Sequence, residues 1–421
     1  MYEKKVLPNG VRVLSERIDH VRSCSVGIWV GNGSRYEPAE MGGISHFIEH
    51  MIFKGTEKRT AQHIAIAMDA IGGQFNAFTT KECTCYYLKT LDTHLITGMD
   101  ILADMFLHSK FDDKDIELER GVVYEEIDMY EDTPEDVATE KLFESCFAGS
   151  ALGRPILGTR ETLAPMDSGT LHRYFSEYYR PQDTVIALSG SFSDEALAFI
   201  CELFSAMPGG GKNAIGPAQY RPQVVVRPKD IEQCHLCIGF PGLSVQDEDC
   251  YALQMLSAIL GDGMSSRLFQ TVREQNGLCY SVYSYATSHL DTGMFSVYTA
   301  LGKPMEARAV ELIGQVLREF CEGGPTRDEL NRCREQRKTS MLMGLESTSA
   351  RMNHLGRNEL YRGYVPQPEE LVAGYDAVTE AQVLGLARRL LDFSQASICA
   401  VGQTDDEAYY AALLRRAGGL Q

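Results

Sequence analysis

Two histidines four residues apart, with a glutamate directly before the second, stand in the stretch His46-Phe47-Ile48-Glu49-His50. An α-helix turns about 100° per residue, so His46, Glu49 and His50 fall within an arc of roughly 100° and point the same way. Two neutral imidazoles one turn apart can grip a single zinc ion. A carboxylate on the same face can reach a water polarised by that ion and take its proton. The plainer reading is a half-buried helix whose histidines are only hydrogen-bonded. Ser45 and Phe47 fit ordinary packing, but the His-Glu-His trio does not.

A zinc site that does chemistry takes three protein ligands and keeps a fourth position open, so one ligand must come from elsewhere in the chain. The acidic run from Asp115 to Ile127 reads as a helix. On it Glu119 and Glu126 share one face within about 20°, whereas Glu125 is turned away by about 100°. Helix geometry alone does not choose among these carboxylates.

His46-Phe47-Ile48-Glu49-His50 followed by Glu119 and Glu126 resembles the pitrilysin/insulinase superfamily of zinc metallopeptidases, the inverzincins. The resemblance is nearest to the two-domain subfamily that includes bacterial processing-peptidase-like proteins and the mitochondrial processing peptidase. It implies that His46, His50 and Glu126 bind one zinc ion per chain, that Glu49 is the general base, and that Glu119 steadies a ligand. It implies that Asn76, Ala77 and Phe78, after the Gly72-Gly73 turn, lie on a sheet edge that pairs with a peptide backbone. Read alone, that stretch is an ordinary strand beginning after a turn. Arg273 and Tyr280 match a family pair that helps to hold the scissile carbonyl. Ser150-Ala151 departs from relatives that often carry histidine-proline, a difference expected to alter a loop and not the metal site.

These residues need elements to hold them. Gly10 to Leu14 and Cys24 to Val30 alternate like strands, and the Gly31-Asn32-Gly33-Ser34 turn leads towards the histidine helix. A helix over 61–71 follows, then the Gly72 turn and its strand. Glu131-Asp132-Thr133-Pro134 reads as a helix restart with proline at its first position. The glycine- and proline-rich stretch 208–222 reads as a linker between an N-terminal zinc-binding domain, 1–207, and a C-terminal domain without zinc, 223–421.

The second half echoes the first, with a strand over 234–240, a turn at Gly242 and a helix over 249–260. A shift of 209 residues lays His46, Glu49 and His50 on Met255, Ala258 and Ile259. The echo suggests a duplicated α+β unit, and the resemblance implies the fold: two homologous domains from an internal duplication, each a mostly antiparallel sheet with helices packed on it. The loop from Gly261 to Ser266 lacks the Gly-Lys-Ser/Thr ending of a phosphate-binding loop. A helical region is expected over 327–352 and a closing strand over 397–402.

At 421 residues the chain exceeds one ordinary core. Its 40 basic and 58 acidic residues give a net charge of −18, which disfavours nucleic acid and suits basic peptides or plain solubility. No apolar run is long enough to span a membrane, and Met1 to Val6 lack a secretion signal. The twelve cysteines are scattered, so reduced thiols in a cytoplasm are expected. Cys234-His235-Leu236-Cys237 has the spacing of a redox or zinc motif but no second pair, and it sits in a strand-like run. The expected activity is zinc-dependent endopeptidase action on unfolded or presequence-like peptides; the alternative is a non-catalytic, peptide-binding partner subunit. The resemblance further implies a homodimer, or a heterodimer with a paralogue, whose active site is shared between subunits.

Overall fold

Runs such as Cys24 to Val30 favour extended backbone because branched and aromatic side chains pack well on a pleated surface. In the computed structural model, which describes residues 2–420, such runs build two mixed sheets. The first contains β1 (Glu3–Val6), β2 (Arg12–Arg17), β3 (Ser23–Val30), β4 (Gln74–Thr79), β5 (Thr84–Leu91) and β6 (Thr184–Gly190), in the order β1-β2-β6-β3-β5-β4. The second contains β7 (Val224–Pro228), β8 (Gln233–Pro241), β9 (Ser281–Ser288), β10 (Gly293–Gly302) and β11 (Ser397–Gly402), in the order β7-β11-β8-β10-β9. Without β1 the two sheets have one connectivity, including a single parallel pair in each, β2 with β6 and β7 with β11. This is the duplicated α+β design expected from the sequence.

Helices α1 (Ile44–Met51), α2 (Ala61–Ala70), α3 (Leu95–His108), α4 (Asp113–Glu131) and α5 (Pro134–Cys146) follow in the first half. Pro134 opens α5, where a missing N–H leaves no helical bond unmade. The helical region expected over 327–352 is made of two helices, Arg327–Gly344 and Thr348–Arg362. Gly344 is a poor helix former, and the serines and threonine after Glu346 compete for backbone hydrogen bonds.

The chain forms two compact units that are not contiguous in sequence. The first comprises the chain up to Ile127, Arg154–Gly216 and Leu342–Gln367; the second comprises Asp128–Gly153, Pro217–Met341 and the chain from Pro368. Each unit thus takes one helix from the opposite half. In the first unit one sheet face packs Val26, Ile28 and Leu188 on Phe47, Ile48 and Phe106. On the other face, Met352 and Leu355 of the helix Thr348–Arg362 cover Leu14, Trp29 and Val185. That close approach needs Gly356, where a Cβ would lie 2.3 Å from the Trp29 ring nitrogen. Buried Glu359 anchors the same helix, accepting from Lys4 at 2.9 Å and Arg12 at 3.1 Å.

In the second unit α5 has the equivalent place, with Val137, Leu142 and Cys146 against Cys237, Met294 and Cys399. The opposite face packs Leu236, Ile238 and Phe295 on the helix Cys250–Gly261. None of the twelve cysteines is in a disulfide. Cys83 and Cys85 lie in one apolar cluster, while Cys234 and Cys237 belong to clusters on opposite faces of their sheet. Residues 208–222 have no regular secondary structure. Asn213 there donates its backbone N–H to Asp183 at 2.7 Å. Among the described residues no helix is long and apolar enough to cross a membrane.

Candidate metal and peptide site

Helix α1 begins after Gly43, whose φ of 92° suits glycine. A Cβ there would meet the Leu157 carbonyl oxygen at 2.6 Å. Ile44, Phe47, Ile48 and Met51 are buried, which fixes the helix rotation and leaves His46, Glu49 and His50 on the remaining side. Buried Glu37 accepts the N–H groups of Gly43 at 2.7 Å and Ser45 at 2.8 Å, two donors at the positive end of the helix. Burial pushes its carboxyl up to about 7, with those N–H groups opposing. The Ser45 and Tyr174 hydroxyls lie 3.0 Å apart, and Tyr174 donates to Asn32 at 3.1 Å. A buried polar network therefore supports α1 from behind.

The candidate ligand atoms converge. His46 Nε2 lies 3.6 Å and His50 Nε2 3.4 Å from the same Glu126 oxygen, Oε2. Two tetrahedral ligands about 2.1 Å from a zinc ion stand roughly 3.4 Å apart, so the trio has the spacing and donor chemistry that zinc takes. It is the one group of three such side chains among the described residues whose ligand atoms all lie within 4.8 Å of one another. His50 Nδ1 is 2.9 Å from Glu119 Oε1, a contact that places the proton on Nδ1 and leaves Nε2 a free lone pair. Glu119 also pairs with Lys54. Burial first, then the neighbouring His50, lowers His46 to about 4, so it is neutral at neutral pH. Burial works against charge on His50, but Glu126 and Glu119 outweigh it and raise the ring above its usual value. Glu125 is exposed.

Glu49 is held from the sheet. Thr79, the last residue of β4, donates its hydroxyl to Glu49 Oε2 at 2.5 Å. Burial raises the Glu49 carboxyl, while Thr79 and His50 counteract it. Strand β4 is the edge of its sheet. Asn76 is exposed there, and its side-chain oxygen accepts the Ala77 N–H at 2.8 Å. Phe78 packs edge-on to Trp29 at 5.5 Å.

The second unit holds the remaining candidates. Arg273 lies in a π-helix, Phe269–Gln275, a rare geometry that recurs at functional sites. Its guanidinium carbon is 4.6 Å from the Phe269 ring centroid and 4.9 Å from that of Tyr280. Tyr280 is 78 % exposed. Met255, Ala258 and Ile259 are buried in the core, as befits a copy of the helix without ligands. Glu37, Lys54, Thr79 and Phe269 were not legible as site residues. Period-two alternation puts Thr79 on the face of Ala77, which was the available signal for that one.

The profile of insulinase (peptidase family M16) matches residues 12–160, and that of the peptidase M16 inactive domain matches residues 166–337. The chain is 43% identical to the uncharacterized zinc protease YmxG of Bacillus subtilis, over 96% of this chain and 99% of that protein. It is 36% identical to an uncharacterized zinc protease of Streptomyces coelicolor, over 96% and 90%. The fold matches a peptidase M16 inactive domain structure from Pseudomonas fluorescens with a TM-score of 0.90 at 21% identity, covering 96% of this chain and 98% of that one. A protease from Helicobacter pylori matches with a TM-score of 0.88 at 19% identity, over 96% and 99%.

Proposed function

Since the chain belongs to the M16 (insulinase) peptidase family, we propose that it is a zinc-dependent endopeptidase of unfolded or presequence-like peptides. His46, His50 and Glu126 would hold one zinc ion per chain. The observation that carries this reading is the convergence of both imidazole Nε2 atoms on Glu126 Oε2. A zinc ion held there would supply Lewis acidity to the scissile carbonyl and make the attacking water easier to deprotonate. Glu49 takes the proton of the attacking water and returns it to the leaving amine. Its burial suits the first of those steps, because a carboxylate whose pKa is raised is the stronger base. Glu119 fixes the tautomer and direction of His50, with Lys54 balancing its charge.

Edge strand β4 offers Asn76, Ala77 and Phe78 to an extended peptide, whose main chain supplies affinity with little demand on sequence. Arg273 and Tyr280 act on the carbonyl oxygen as it gains charge. We assign that pair to the zinc site of a second subunit, an identical copy or a paralogue. The absence of any disulfide among twelve cysteines supports work in a reducing compartment such as the cytoplasm. The competing reading, a non-catalytic partner subunit, has no support from the His46, Glu49, His50 and Glu126 set, which is whole. Zinc content measured beside chelator-sensitive cleavage of a quenched peptide separates the two. Zinc binding with cleavage supports the enzyme, and a zinc-loaded chain inert alone and with every partner overturns it.

A further inference from the structure

Thr79 joins two parts of the site. It ends the edge strand β4, and its hydroxyl reaches Glu49 Oε2 at 2.5 Å. The neighbouring hydroxyl, Thr84, is 3.5 Å from Thr79 and donates to the Asn32 carbonyl at 2.9 Å. Thr84 has thus spent its proton elsewhere, and Thr79 is the donor to Glu49. A carboxylate with one oxygen fixed can turn only the other, Oε1, to a water.

We propose that Thr79 is a positioning residue, fixing Glu49 through Oε2 so that Oε1 alone receives the proton of the attacking water, and thereby tying the base to the strand that takes the peptide. The proposal rests on Glu49 being the base. Removing the hydroxyl frees the carboxylate to rotate, and a displacement of about 1 Å at a reacting group costs on the order of 100-fold in rate. The methyl of Thr79 has no part in this.

Thr79→Val keeps the side-chain shape without the donor, and Thr79→Ser keeps the donor without the methyl. For Thr79→Val the expected result is a kcat about 10- to 100-fold lower with KM within about 2-fold. Zinc content, and the Kd of a labelled peptide for the metal-free protein, should stay at wild-type values. Thr79→Ser should recover kcat to within about 3-fold of wild type. A Thr79→Val enzyme with wild-type kcat overturns the proposal, as does one slowed by loss of zinc, or a folded, zinc-loaded Thr79→Ser as slow as the valine variant. Glu49→Gln, run alongside, separates the two layers. Its inactivity beside a fully active Thr79→Val removes the positioning role alone, whereas a fully active Glu49→Gln removes the base and this proposal with it.

Discussion

Glu119 Oε1 sits 2.9 Å from His50 Nδ1, so one imidazole is held from behind by a carboxylate while its Nε2 faces Glu126. Glu119→Gln should weaken zinc binding by about 10- to 100-fold. Competition against a chromophoric chelator measures this directly. Unchanged affinity would reduce the Glu119 contact to packing.

The Arg273 guanidinium lies against the rings of Phe269 and Tyr280, a contact that uses its flat, delocalised charge. Arg273→Lys keeps the charge and loses the plane. A fall in kcat of at least about 10-fold is expected, at wild-type zinc content. Steady-state kinetics with metal analysis checks it, and a fully active lysine variant would show that charge alone suffices.

Glu37 makes stability depend on pH. Its folded value of about 7 lies above the ordinary 4.5, so between those values the folded chain holds a proton that the unfolded chain has released. Its contribution is whole below about 4.5 and is lost as pH rises through about 7, a loss on the order of 3 kcal/mol. Urea denaturation of the metal-free protein at pH 5 and pH 8 should show Glu37→Gln gaining on the wild type at the higher pH. Parallel behaviour of the two proteins would contradict it.

A shared active site predicts complementation. Inactive Glu49→Gln chains mixed with inactive Tyr280→Phe chains should regain part of the wild-type rate after subunit exchange, because one mixed arrangement carries an intact set. Demonstrated exchange without recovery, or a fully active monomer, would refute the sharing.

Much of this was legible because periodicity carries it. The His46, Glu49 and His50 spacing needs only a helix, and the two sheets follow from apolar runs that repeat in both halves. The third ligand was not readable from geometry, since four carboxylates from Glu117 to Glu126 compete on one acidic helix. Their ranking depends on tertiary placement, which buries Glu119 and leaves Glu125 exposed. Glu37 and Thr79 are illegible for a related reason: each acts through a contact with α1, from the loop just before it or from strand β4, and alternation can place a side chain on a face without naming what it touches. The helices placed in the unit opposite to their own half likewise reflect long-range packing, which no local pattern records.

The central claim is that His46, His50 and Glu126 hold zinc for a reaction whose base is Glu49. The cleavage rate of a quenched peptide by Glu49→Gln protein, with its zinc measured in the same sample, tests it most directly. The amide keeps the shape of the side chain but takes no proton, so one zinc per chain is expected with a rate lower by about 1,000-fold or more. Substantial turnover by that zinc-loaded variant would contradict the account.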